Sequence, residues 1–251
     1  MQALIVGAGA VGRWFADVIG DSFEVTMYDR DPDVAAAAVE ASDATMTTTF
    51  EDRRYELVCT AVPLLATETA IGDHAHRATT AVLDLSGSMQ APGAAMRRHA
   101  DGLERINLHP LFAPDHAPGR VATSIEDGEE VATTIERSIE AAGCTIVETT
   151  PERHDRAMKT VQANVHAAVI AYALAADPIP SEFDTPVSAA LRDLAVTVLD
   201  GNPRVYADIQ QCFGSDAVAE AAREVATADQ QTFAELYRTA AANLEGRERD
   251  P

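Results

Sequence analysis

Lysine is almost absent from this 251-residue sequence: Lys159 is the only one, and 19 lysines and arginines face 40 aspartates and glutamates for a formal charge of −21. A surface this acidic has no means of releasing counterions from nucleic acid or from anionic lipid, so neither is expected as a partner. With its many alanines and threonines, the chain reads as halophilic, adapted to a salt-rich cytoplasm where dissolved ions screen the carboxylates from one another. Cysteine is also scarce. Cys59, Cys144 and Cys212 are odd in number, far apart and without a CxxC pair. That excludes a disulfide framework and a zinc site, and fits reduced thiols in a cytoplasmic protein with no metal. No uncharged apolar stretch of about 18 residues is available to span a bilayer. The apolar run at the N-terminus is interrupted by glycines and has no basic leader, so it does not read as a signal peptide.

What is present is concentrated at the start of the chain. Gln2–Ala3–Leu4–Ile5–Val6 has the character of a buried parallel strand and leads into Gly7–Ala8–Gly9–Ala10–Val11–Gly12, with helix character from Trp14–Phe15. Strand, GxGxxG turn and helix are the parts of a dinucleotide-binding βαβ unit. Gly7 permits the tight turn, Gly9 lets the backbone approach a pyrophosphate, and Gly12 allows close helix–strand packing. The phosphates are expected on the helix N-terminus, beside Ala10 and Val11, where free N–H groups and the helix dipole favour negative charge. A second strand, Phe23–Tyr28, ends at Asp29, whose carboxylate suits ribose hydroxyls and repels a 2′-phosphate. NAD is therefore the expected cofactor. Arg30, next to it, can accept a 2′-phosphate and keeps NADP possible.

Further along, Asp31–Pro32–Asp33 is a helix-start signal for the alanine-rich segment Val34–Ala41. Leu57–Val62 reads as a strand closed by Pro63, so Ala61, Val62 and Pro63 should line the ligand crevice at the sheet's carboxyl edge. Ala81–Leu85, Arg105–Leu108, Arg120–Thr123 and Thr145–Glu148 read as further strands, and Glu129–Ala142 as an amphipathic helix ended by Gly143. Alternating strands and helices predict an α/β, doubly wound Rossmann domain over residues 1–150. From Thr150 the pattern is helical only: Pro151–Glu152 opens a helix running to about Ala176, with breaks at Asp177–Pro180 and Gly201–Pro203. Residues 151–251 are thus expected to form an all-helical domain that buries its apolar faces by homodimerisation, ending in a frayed tail over Glu245–Pro251.

Polar groups gather after the strand ends. Ser86 or Ser88 follows one strand and His109 another, fixed by Pro110, while His154, Asp155 and His166 lie on the helix leaving the sheet. An imidazole with a pKa near 6.5 suits proton abstraction at neutral pH. His109 on its own reads equally as a packed loop histidine. Asp155, in the first turn of its helix, could simply favour that helix's dipole.

With these residues together, the sequence resembles the prephenate dehydrogenase family, which acts on prephenate or arogenate in tyrosine biosynthesis. The resemblance spans nearly the whole chain: the GxGxxG start, Ala61–Val62–Pro63, Asp84–Leu85–Ser86–Gly87–Ser88, His109–Pro110–Leu111–Phe112, His154–Asp155–Arg156–Ala157–Met158 with His166 beyond, and Gly201–Asn202–Pro203 through Ile209. It implies NAD-dependent oxidative decarboxylation with His109 as the base. Ser88, or Ser86 if the turn aligns one residue differently, would orient His109 or touch substrate, and His166 would help hold substrate, with His154 beside them. Two departures stand out. The serine turn continues to Met89–Gln90 where the family has a lysine. The family arginine that binds the ring carboxylate falls in a stretch that here reads Ala195–Val196–Thr197–Val198–Leu199, with Arg192 and Arg204 the nearest cations in sequence. That absence leaves room for two alternatives: a dehydrogenase of the same build acting on a different small acid, or a non-catalytic dinucleotide-binding homologue.

Overall fold

The computed structural model describes residues 1–40, 44–50 and 53–245. The end of the alanine-rich helix at Ala41 and the polar tail past Glu245 fall outside the described residues. Contacts divide the chain into two compact units, one comprising Met1–Thr160 with Asn202–Phe213, the other Val161–Gly201 and the segment from Gly214.

The first unit is built on an eight-stranded sheet in the order β3-β2-β1-β4-β5-β6-β7-β8. Its strands are β1 (Gln2–Val6), β2 (Glu24–Tyr28), β3 (Thr45–Met46), β4 (Tyr55–Thr60), β5 (Ala78–Asp84), β6 (Glu104–Pro110), β7 (Arg120–Glu126) and β8 (Thr145–Glu148). All pairs are parallel except β6 with β7. Side chains alternate between the two faces, as a period of two requires. Ala3, Ile5, Leu57, Cys59, Leu83, Ile106 and Leu108 point to one core, and Leu4, Val6, Val58 and Val82 to the other.

Helices α1 (Ala10–Ile19) and α5 (Glu130–Ala141) cover the first face. Their buried positions fall at helical spacing: Phe15 and Ile19, then Val131, Ile135 and Ile139. Each such side chain contributes about 1.5–3 kcal/mol of burial. Helix α2 (Pro32–Val39) is capped by Asp31, which accepts from the Asp33 N–H. The opposite face is covered by α3 (Thr67–His74) and α4 (Gln90–His99), through Ile71, Ala95 and Met96.

The chain then enters α6 (Pro151–Met158), capped by the Thr150 hydroxyl on the Arg153 N–H. The expected continuous helix to Ala176 is interrupted: Lys159–Asn164 is π-helical, and α7 follows over Val165–Ala175. The compact division falls within that π-helical segment, ten residues beyond the expected boundary at 150. The reason is tertiary: α6 packs on α4 and so stays with the sheet. Helix α9 (Pro203–Phe213) also joins the first unit by packing on the turn Leu64–Ala66. The second unit, described by itself, pairs α7 with α8 (Pro186–Leu199) and continues through α10 (Asp216–Thr227) and α11 (Gln230–Glu245). Among the described residues no helix is long and apolar enough to cross a membrane.

Candidate active site

Two constructions meet the carboxyl edge of the sheet in the first unit. The earlier in sequence is the glycine turn. Gly7 has φ +106° and a Cβ there would lie 2.3 Å from the Ala61 carbonyl oxygen, so neither the backbone angle nor the space admits a side chain. A Cβ on Gly12 would lie 2.1 Å from the Gly7 oxygen, which shows how closely α1 packs on the turn. Gly9, by contrast, has nothing within 4 Å of where its Cβ would be. It sits at the N-cap of α1 with no side-chain cap, so the first N–H groups of the helix face open space. This is the form a pyrophosphate needs: bare backbone at a helix N-terminus.

Asp29 lies beyond the end of β2. It accepts from the Ala8 N–H at 3.0 Å and from the Asp31 N–H at 3.0 Å. It therefore fixes the glycine turn and retains lone pairs for ribose hydroxyls. Arg30 is exposed beside it. Ala61 and Val62 are half-buried and Pro63 exposed, just past β4, where the Ala61 N–H still bonds the Val6 carbonyl.

The other construction is a buried polar cluster one layer along. His109 does not follow its strand, as expected from the proline after it; both residues lie inside β6, paired with Ala122 and Val121 of β7. Pro110 is tolerated there, and the ladder resumes with the Leu111 N–H on the Arg120 carbonyl. Alternation turns Leu108 to the α1–α5 face and His109 to the α4–α6 side. Phe112, at the end of the same motif, packs edge-on against Trp14 with ring centroids 5.5 Å apart.

His109 is buried, and its Nδ1 lies 2.9 Å from His154 Nε2, with the rings edge to face. His154 Nδ1 lies 2.8 Å from Asp155 Oδ1. Asp155 does not serve its own helix. It crosses to the N-terminus of α4, where it accepts from the Met89 N–H at 2.8 Å, the Gln90 N–H at 3.1 Å and the Gln90 side-chain amide at 3.3 Å. Burial raises its pKa, but the hydrogen bonds from His154, Met89 and Gln90 outweigh that and hold it below the ordinary carboxylate range. It is an anion that caps α4 across the structure. Gln90, in the Met89–Gln90 stretch that departs from the family's lysine, supplies a neutral donor. Burial, followed by repulsion from His154, pushes the His109 pKa down to about 3 against the opposing pull of Asp155.

The tautomers follow from this network. The Asp155 carboxylate takes the His154 Nδ1–H, so neutral His154 presents a lone pair at Nε2. His109 must then donate from Nδ1 and carry its own lone pair on Nε2. That nitrogen faces the turn at Gly87, where a Cβ would come within 3.5 Å of it.

The two serines are engaged elsewhere. Ser86 donates to Asp84 through both its N–H and its hydroxyl, and Thr60 donates to the same carboxylate at 2.7 Å. Burial lifts the Asp84 pKa to about 6 despite these donors. Ser88 lies 3.4 Å from Asp155 and within bonding reach of the Cys212 thiol, whose pKa burial raises. Neither serine bonds His109: the orienting partner is His154, which the sequence placed only near the substrate. His166 lies on α7 in the second unit, half-buried, with its pKa lowered by burial. Arg192 is paired with Asp184 in that unit, and Arg204 is exposed on α9. Thr60 escaped sequence reading because nothing local marks it, and Asp84 and Gln90 were visible only as members of the serine turn, without their partners. Among the described residues no cluster could hold a metal.

No family model matches the chain. Relatives do. The chain is 28% identical over 267 aligned residues to 4-amino-4-deoxyprephenate dehydrogenase of Streptomyces pristinaespiralis, covering 93% of this chain and 88% of that one. It is 25% identical over 227 residues to a probable arogenate/prephenate dehydrogenase of Methanocaldococcus jannaschii, covering 83% of this chain and 51% of that one. By sequence and by fold, the chain is an oxidoreductase related to the prephenate/arogenate dehydrogenases. The fold likeness is to the crystal structure of prephenate dehydrogenase from A. aeolicus in complex with hydroxyphenyl propionate and NAD+, with a TM-score of 0.73 at 17% identity over 98% of each chain. The family build, a Rossmann-like sheet followed by helices, is the one described above.

Proposed function

We propose that the protein is an NAD-dependent dehydrogenase that oxidatively decarboxylates prephenate or arogenate, a reaction of tyrosine biosynthesis. The observation that carries this reading is the His109–His154–Asp155 chain, which sets a neutral imidazole lone pair at the carboxyl edge of a sheet whose first turn is open to a dinucleotide. NAD, when bound, supplies the hydride acceptor. Gly9 and the N-terminus of α1 would hold its pyrophosphate, and Asp29 its adenine ribose. His109 Nε2 takes the proton of the ring C4 hydroxyl as the C4–H bond gives up its hydride, and departure of the ring carboxylate as carbon dioxide restores aromaticity. The protein's remaining task is to hold the two reactants in register. Ser86, Ser88, His154 and His166 are the substrate-side residues of this proposal, with His154 acting through His109.

A second reading is favoured by the relative from Streptomyces: the same imidazole would take its proton from an amine at C4. The missing arginine extends this to other small acids, since no charge-assisted bidentate pair to a ring carboxylate is available from residues 195–199. Purified protein mixed with NAD and prephenate, arogenate or 4-amino-4-deoxyprephenate decides among these by the growth of NADH absorbance. NAD binding with no turnover of any would replace the enzyme with a dinucleotide-binding homologue.

NAD should bind more tightly than NADP, because Asp29 repels a 2′-phosphate. Asp29→Ala should narrow the difference mainly by weakening NAD, since it also releases the Ala8 N–H. Calorimetric titration of both cofactors checks this, and tighter NADP binding by the wild type would overturn it.

We also infer that the chain is a homodimer joined through its helical unit and suited to high salt. Leu174 is 83% exposed, Val187 77% and Tyr237 71%, which leaves apolar surface in want of a partner. With a charge of −21, the melting temperature should rise between dilute buffer and molar potassium chloride as repulsion is screened. Melts at both salt levels, with sedimentation on the same samples, test the pair of statements. An unchanged or lower midpoint counts against the suitability to high salt, and the mass of one chain against the homodimer.

A further inference from the structure

We propose that His109 and His154 form a two-imidazole proton relay: as His109 Nε2 accepts the substrate's proton, its Nδ1 proton passes to His154 Nε2, and the positive charge comes to rest on His154 against Asp155. This rests on the base role given to His109 above. It concerns where the proton goes next.

The geometry is complete for it. One hydrogen lies between His109 Nδ1 and His154 Nε2 across 2.9 Å, and it can belong to either ring. Before the transfer it is on His109. Afterwards His109 is again neutral, protonated on Nε2 only, and His154 is an imidazolium with both nitrogens hydrogen-bonded. In the first transfer the substrate's bond to its proton breaks as His109 Nε2–H forms; in the second His109 Nδ1–H breaks as His154 Nε2–H forms, so protons balance and no further reactant is needed.

Electrostatics set the direction. An imidazolium at His109 would be a buried charge with its carboxylate one ring away; at His154 the same charge lies 2.8 Å from Asp155 Oδ1. His109 alone is a poor base, because burial disfavours its charged form. The relay lets it accept a proton without keeping the charge. The titratable groups around the pair are Asp155 and, across Ser88, the Cys212 thiol, which burial keeps protonated. The remaining partners of Asp155, the Met89 and Gln90 amides, are neutral. A lysine in place of Gln90 would neutralise Asp155; glutamine leaves its charge for His154.

His154→Gln separates relay from orientation. The Gln carbonyl can still accept from His109 Nδ1 and hold the tautomer, but it cannot take up a proton. The relay requires kcat to fall by roughly 10²-fold or more, within the usual range for positioned proton transfer, with KM little changed. The acid limb of kcat/KM should move to lower pH, because protonation of His154 no longer locks His109 in its unreactive tautomer. His154→Phe should lose both orientation and relay and be slower still. A Gln variant within about threefold of wild type, with an unmoved acid limb, would overturn the relay. An arm independent of turnover uses nitrogen-15 histidine NMR on the wild-type protein: at neutral pH His109 should carry its proton on Nδ1, and on acidification the first new proton should appear on the His154 ring. Protonation of His109 first would sink the relay whichever substrate the enzyme uses. The expected spectra from a protein that turns over none of the candidates would leave the relay standing and reject the proposed reaction.

Discussion

Replacing His109 with asparagine should leave a protein that folds, binds NAD with wild-type affinity and turns over roughly 10²–10⁴-fold more slowly, the usual contribution of a positioned general base. The glycine turn and Asp29 follow β1 and β2, on the other side of β4 and β5 from β6, so cofactor binding has no reason to change. Asparagine keeps a polar side chain of similar reach at a buried position facing His154. In the wild type the rate should fall at acid pH as the imidazole pair takes up its first proton, and that limb should vanish with His109. Steady-state kinetics across pH, with a melt and an NAD titration on the same preparation, check all parts. A well-folded variant retaining more than about a tenth of wild-type turnover is too active for a base at this position.

The second large effect separates two glycines of one motif. Gly12→Ala puts a methyl 2.1 Å from the Gly7 carbonyl oxygen, a backbone atom that moves only if α1 shifts off the sheet. Overpacking of this kind costs about 1–3 kcal/mol or more, and each kcal/mol lowers the melting temperature of a chain this size by roughly 2–4 °C. Gly9→Ala meets nothing within 4 Å. Its melting temperature should stay within a few degrees of wild type, since the loss is at most that of a helix N-cap, about 1 kcal/mol. Its methyl occupies the path of the pyrophosphate, so NAD affinity should fall by more than about tenfold, or ~1.4 kcal/mol. Melts and cofactor titrations of both variants give the answer, and equal loss of stability in the two would refute the distinction.

The difference between the two glycines also shows what the sequence made legible. GxGxxG, the apolar strand before it and the acidic residue after the next strand are local patterns, and the structure puts them where the spacing says. Every strand predicted from an apolar run is a strand, with its ends moved by a few residues. The two-residue β3 offers no run to read. The buried polar cluster is different in kind. Asp155 meets Met89 and Gln90 across a separation of some 66 residues, and Thr60 meets Asp84 across 24. No periodicity registers such pairs. His109 was visible as a residue but misplaced, because a proline after a histidine reads as a strand stop, whereas the antiparallel partner β7 continues the sheet past it. The serines were visible too, yet Ser86 turns its hydroxyl to Asp84, two residues back, and Ser88 turns to Asp155, which only the fold brings near.

The return of α9 to the sheet bears on how the chain is made. The first unit is interrupted: its last piece, Asn202–Phe213, follows Val161–Gly201, which belongs to the other unit. A ribosome that has released residues through Thr160 has released every strand of the sheet, together with His109, His154 and Asp155, but not the helix that covers the turn Leu64–Ala66. During synthesis the sheet must wait, partly uncovered, while the intervening helices emerge, and the nascent chain is exposed to misassembly over that interval. Gene fragments that stop at the apparent end of the Rossmann domain reproduce this unfinished state rather than a self-sufficient half.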